Sequence, residues 1–151
     1  MEPRLRNVSE VEKSEKITIN VGPVDLGQID LLVSEGFFAN RTDFIRTAIR
    51  RQIESRASSV ESTVARRHLT LGSEHYSRRD LEDLRDCGQT VELRVLGLAS
   101  IADDVSPELA LATIAAVEVL GAFRAPRAVK AALASRTTFL KILLEKVQKY
   151  E

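Results

Sequence analysis

Lys16, Thr18 and Asn20 occupy every second position of "KITINV", interleaved with Ile17, Ile19 and Val21. An ammonium, a hydroxyl and a carboxamide in one row offer hydrogen bonds in both senses, which is chemistry of recognition rather than of bond breaking. Few reactive groups stand elsewhere. One cysteine, Cys87, excludes an intrachain disulfide and a cysteine-based zinc cluster, and two histidines, His68 and His75, add little metal chemistry. No nucleophile and base fall in a catalytic motif, and no glycine loop is built to cradle phosphates. The expectation is a protein that is not an enzyme and carries neither cofactor nor metal. Cys87 reads as a small, partly buried thiol, and both histidines read as surface or loop residues.

The elements around the polar row decide what it is for. Strict alternation from Lys16 to Val21 is the pattern of a half-buried β-strand. The sequence that follows is helical, so the strand has no neighbour close by, and an unpaired strand leaves a line of donors and acceptors unsatisfied. In "GPVDLGQIDLLVSEG", Pro23 suits a first helical turn, and Leu26, Ile29, Leu32 and Val33 recur at helical spacing. Gly36 ends that helix in the left-handed conformation. In "FFANRTDFIRTAIRRQIESR", Asn40 or Thr42 caps a second helix with an apolar stripe of Phe44, Ile45, Ala48, Ile49 and Ile53. Arg46, Arg50, Arg51 and Arg56 make its other face basic.

The 151 residues suffice for one ordinary domain or two small ones. No run of about 18 apolar residues occurs, so no membrane span is expected, and the start "MEPRLRNVSEVEKSEK" is too acidic and polar for a signal peptide. The expected compartment is the cytoplasm. Positive and negative charges balance at 22 each, so bulk charge lends no support to a nucleic-acid partner and any such case rests on where the charges sit.

Residues 1–15 read as a flexible arm, 16–56 as the strand and two helices, 57–66, small and polar, as a linker, and 67–151 as a second domain. That second domain holds a weak repeat: "HLTLG", "LRVLG" and "VEVLG" end at Gly72, Gly97 and Gly121, spaced by 25 and 24 residues. Helix-like stretches follow, one of them capped by Ser106 with Pro107 in its first turn. Units of this size suit a solenoid-like strand-turn-helix repeat, and three short strands suit a small compact α/β domain equally. Phe139, Leu140, Leu143, Leu144 and Val147 form the stripe of a terminal amphipathic helix.

The order strand, helix, glycine, helix over Glu15 to Ile53, with "NRTDFIRTAIR" opening the second helix, resembles the ribbon-helix-helix class of DNA-binding proteins (the CopG and Arc/MetJ group). The resemblance covers about a quarter of the chain. It implies an α+β protein whose N-terminal strand pairs with that of an identical copy as an antiparallel ribbon, a width that fits the major groove of B-form DNA. Lys16, Thr18 and Asn20 would then face base edges, while Ile17, Ile19, Val21, Phe44, Ile45 and Ile49 form the core of an intertwined dimer. The start of the second helix, Asn40, Arg41, Thr42 and Asp43, would seat a phosphate at the positive end of the helix dipole. The class usually has Ser, Arg, Ser, Glu here, and this chain reads Asn, Arg, Thr, Asp, a conservative departure.

The implied function is a sequence-specific transcriptional regulator, most simply a repressor of operator DNA, with a C-terminal domain for higher-order assembly or for a protein partner. An antitoxin joining the same DNA-binding end to a toxin-neutralising tail is one alternative. An assembly protein using the N-terminal dimer as a joint is another. The layout also resembles the nickel-sensing repressors in length, but three potential ligands, His68, His75 and Cys87, are too few for their chemistry.

Overall fold

Pro23 occupies the first turn of helix α1, Pro23–Ser34, where its missing amide hydrogen is no loss. Gly36, at φ 81°, closes it: the Gly36 amide bonds the Val33 carbonyl at 3.1 Å and the Phe37 amide bonds that of Leu32 at 3.0 Å, a Schellman motif. Helix α2, Arg41–Glu54, starts from Asn40, whose side chain accepts the Asp43 amide at 2.9 Å. The computed structural model describes residues 14–138. They fall into two compact units, Met1–Arg56 and Ala57–Glu151. The arm expected over 1–15 lies, up to residue 13, outside the described residues, and so does the terminal stripe from Phe139 to Val147.

The first unit buries little. Ile29 is its one buried apolar side chain among the described residues, and α2 has none. Phe38 and Phe44 meet edge to face at 5.0 Å, and Ile29, Leu32 and Phe44 line an apolar cleft together with Asp25 and Gln28. Val24, Leu31, Ile49 and Ile53 remain exposed. Residues 14–22 form no strand in the single chain, which corrects the expected half-buried strand at Lys16 to Val21. The reason is elementary: a strand is defined by ladder bonds to a neighbour, and one chain offers this segment none.

The second unit supplies its own core. Its elements are α3 (Ala57–Arg67), β1 (Thr70–Tyr76), α4 (Arg78–Asp86), β2 (Val91–Ile101), α5 (Pro107–Thr113), β3 (Ile114–Arg124), α6 (Arg127–Leu133) and a 3₁₀ turn, Ala134–Arg136. The stretch read as a linker is thus helical. Its Val60 and Val64, one turn apart, line a slot with Leu69, Leu96 and Leu120, and that apolar contact outweighs the weak helix propensity of its serines. His68 follows at φ 51° and ends α3. Cys87, expected partly buried, is exposed because it caps the C-terminal end of α4.

The three strands lie in the order β1-β2-β3, all parallel. Parallel neighbours require crossovers, and α4 and α5 supply them. One sheet face, with Leu93, Val95, Ala99, Ile101, Val117 and Val119, is sealed by Leu81, Leu109, Ala110, Val129 and Leu133 from α4, α5 and α6. Caps fix the helix starts: Ser77 and Asp80 form a reciprocal capping box, and Ser106 accepts the Leu109 amide at 3.2 Å. The mixed α+β character stands; the sheet present is parallel, not an antiparallel ribbon.

The spacing of the three glycines acquires a physical meaning in this sheet. Gly72 pairs with Gly97, and Gly97 with Gly121, so the three form one row across the strands. All have positive φ, 125°, 140° and 124°. A Cβ on Gly97 would lie 2.0 Å from the Gly72 carbonyl oxygen, and one on Gly121 would lie 2.2 Å from that of Gly97. Gly97 and Gly121 therefore each nest on the carbonyl of the strand before, which only glycine permits.

Candidate nucleic-acid interface

The segment before α1 presents both of its rows to solvent. Lys16, Thr18 and Asn20 are exposed, and so are Ile17, Ile19 and Val21, at 72%, 58% and 38%. An apolar row so open beside two helices that bury one side chain is surface awaiting cover. The sequence reading assigned the covering of the apolar row to a second copy, and one chain offers neither row a cover.

At the start of α2 the cap closes in both directions. Asn40 accepts the Asp43 amide, and the Asp43 carboxylate accepts the Ala39 amide at 3.0 Å. Asp43 is thereby turned back along the chain. The arrangement leaves the first-turn amides of Arg41 and Thr42 without intrahelical acceptors, at the positive end of the helix dipole.

Arg41 itself is held elsewhere. Its guanidinium makes a two-pronged contact with Asp30 of α1, Nε to Oδ1 at 2.6 Å and the second nitrogen to Oδ2 at 2.7 Å. The hydrogen bond from Arg41 holds the Asp30 carboxyl below the usual aspartate range and pushes the guanidinium up. The pair is eleven positions apart, so no helical spacing could have announced it. Arg46, Arg50, Arg51 and Arg56, by contrast, are exposed and make no ion pair among the described residues. Arg46 and Arg50 stand one turn apart and share a side of α2.

Polar groups in the second unit are mostly occupied with one another. Arg67 at the end of α3 pairs with Glu118 of β3, and Arg78 with Glu82 along α4. His75 Nδ1 lies 2.8 Å from Ser100 Oγ on the neighbouring strand. Burial raises the Tyr76 phenol, with the Glu74 carboxylate that accepts its proton adding to the shift. No group of three or more metal-binding side chains gathers among the described residues. No helix among them is long and apolar enough to cross a membrane.

Comparison with known proteins agrees with this N-terminal geometry and extends past it. No curated protein and no solved structure matches the chain. A family described as the ribbon-helix-helix transcriptional regulator family matches residues 12–130, so the match takes in the polar row, both N-terminal helices and the parallel sheet. The chain belongs to the ribbon-helix-helix transcriptional regulator family.

Proposed function

We propose that the chain is a sequence-specific DNA-binding repressor that occupies its operator as a homodimer. The observation that carries this reading is the exposure of Ile17, Ile19 and Val21 beside helices that bury a single side chain. A second copy supplies what one chain lacks: two Lys16 to Val21 segments pair about a two-fold axis, the isoleucines and valine turn down onto Phe44, Ile45 and Ile49, and the ladder groups are satisfied. Lys16, Thr18 and Asn20 then stand outward in one row per chain. Lysine donates to guanine, asparagine bridges adenine, and threonine offers a hydroxyl and a methyl.

Phosphate positioning falls to the Arg41 and Thr42 amides and the Thr42 hydroxyl. The Arg41 guanidinium serves instead to hold α1 to α2 through Asp30. The free cations of α2 add non-specific attraction despite the neutral total. In the C-terminal unit the strand-turn-helix units stack as a short solenoid-like body that links dimers, so that adjacent operator sites fill together. A tail that folds only against a toxin does not describe residues 57–138, which enclose a core of their own, and this favours the repressor over the antitoxin.

Genome-wide mapping of bound DNA, followed by transcript levels after deletion of the gene, tests the proposal. The expected result is a small set of promoters sharing one motif, with raised transcripts on deletion. Binding spread evenly over the chromosome would overturn sequence-specific repression.

A further inference from the structure

The sheet has one edge that nothing among the described residues covers. Thr137 and Thr138 run beside β3, where the Thr138 amide bonds the Val117 carbonyl at 2.9 Å. The outer side of β1 has no such neighbour among the described residues: Thr70, Leu71, Gly72, Ser73 and His75 are all exposed. Soluble proteins blunt such edges with lysine, proline or a twist that spoils pairing. The sequence of β1, "TLGSEHY", has neither lysine nor proline. Its kink at Gly72 is no defence, because Gly97 kinks the same way and still pairs on both sides.

Two further features mark this edge as unfinished. Leu71 is 70% exposed, although its row-mates Leu96 and Leu120 are half-buried on the sheet face turned from α4, α5 and α6. And the place where a Cβ would stand on Gly72 is open, with nothing within 4 Å, whereas the same place at Gly97 and Gly121 is filled by a neighbouring carbonyl. A strand's backbone can approach there as closely as it does elsewhere in the sheet.

We propose that the β1 edge pairs with the β1 edge of a second copy, as an antiparallel contact about a two-fold axis that joins two ribbon dimers. Full overlap of Thr70–Tyr76 with its copy places Ser73 on the axis, Leu71 opposite His75, and Glu74 opposite Gly72 rather than opposite another carboxylate. Parity keeps Leu71 on the same face in both copies, so each leucine row ends against the His75 of the other copy rather than against a charge. Such a contact is isologous and closes on itself, giving a defined assembly rather than a fibre. This inference rests on the proposal that the C-terminal unit links dimers and names the surface that does so.

The test uses the full-length chain. Leu71→Lys with Ser73→Lys changes two exposed positions and puts four added charges at the seam of two copies, while far-ultraviolet circular dichroism confirms that the fold is kept. By sedimentation and light scattering the wild type is expected to rise above dimer mass with concentration, and the variant to need about tenfold more protein or greater. In a Cys87→Ser background, Ser73→Cys is expected to form an interchain disulfide under mild oxidation, its two Cβ atoms facing across the axis. A wild type that stays dimeric at every concentration would overturn the linking role and this edge contact together. A wild type that assembles while the double-lysine variant assembles equally well would overturn the edge contact alone. So would dissociation by the lysines with no cross-link through Ser73→Cys.

Discussion

Gly97→Ala is the sharpest probe of the sheet. The methyl group would stand 2.0 Å from the Gly72 carbonyl oxygen, a distance at which backbone must move. At φ 140° the residue is also in a region that side chains avoid, at a cost of about 1–3 kcal/mol. Forcing extra volume into a closed site adds about 1–3 kcal/mol more. Together the change should cost about 2–6 kcal/mol, a large share of the roughly 5–15 kcal/mol that holds an ordinary domain folded. Gly72→Ala supplies the control, since φ is 125° there but the added methyl meets nothing within 4 Å. It should carry the backbone cost alone. Urea unfolding of both variants, followed by circular dichroism at a concentration where the wild type is dimeric, isolates the steric part as the difference in stability. Equal destabilisation by the two changes would refute the close approach of strand on strand and reduce the glycine row to a backbone effect.

The ribbon yields a coupled test: Ile19→Lys, which sets an ammonium in the proposed dimer core, should cost on the order of a few kcal/mol and lower dimerisation and N-terminal folding together, as read by sedimentation and thermal melts. A folded monomer would contradict it. Alanine at Lys16, Thr18 or Asn20 should each cost about 1–3 kcal/mol on the operator and less on random DNA, measured by competition titration; unchanged sequence preference in all three would remove base readout from this row. Asp30→Asn should loosen α1 from α2. Because the Asp30 carboxyl lies lower in the folded than in the unfolded chain, its contribution is fully present above the ordinary aspartate value of about 3.9 and vanishes as the pH falls through the folded value. Wild-type and variant melting temperatures should therefore differ equally at neutral and mildly alkaline pH and converge in strong acid; a gap that closes near neutrality would point to another group.

What could be read from the sequence was local. Pro23, Gly36, Asn40, Ser106 and Pro107 mark helix ends because capping is decided within about four residues, and each lies at the end of its helix in the structure. The glycine spacing was legible as a period, since Gly72, Gly97 and Gly121 recur in similar contexts, but not as a row of nested backbones, because parallel pairing joins residues 25 and 24 positions apart. The Arg41 contact with Asp30 was hidden for the same reason: it depends on how α1 meets α2, and without it Arg41 looked available for phosphate. Residues 57–66 misled by composition, for their serines read as linker while Val60 and Val64 had leucines of the sheet to meet.

The two units thus answer opposite physical problems. Residues 57–138 close a core around parallel strands within one chain. Residues 14–56 spend their apolar side chains on a surface that one chain leaves open, with Ile17 and Ile19 more than half exposed. On the proposed reading, dimerisation of the first unit is inseparable from its folding, and the DNA-reading row is created in the same step, since Lys16, Thr18 and Asn20 are fixed in one direction only when Ile17, Ile19 and Val21 are covered. Operator binding then draws on dimers already formed, and a second unit with a core of its own is free to join those dimers without disturbing the groups that read the DNA.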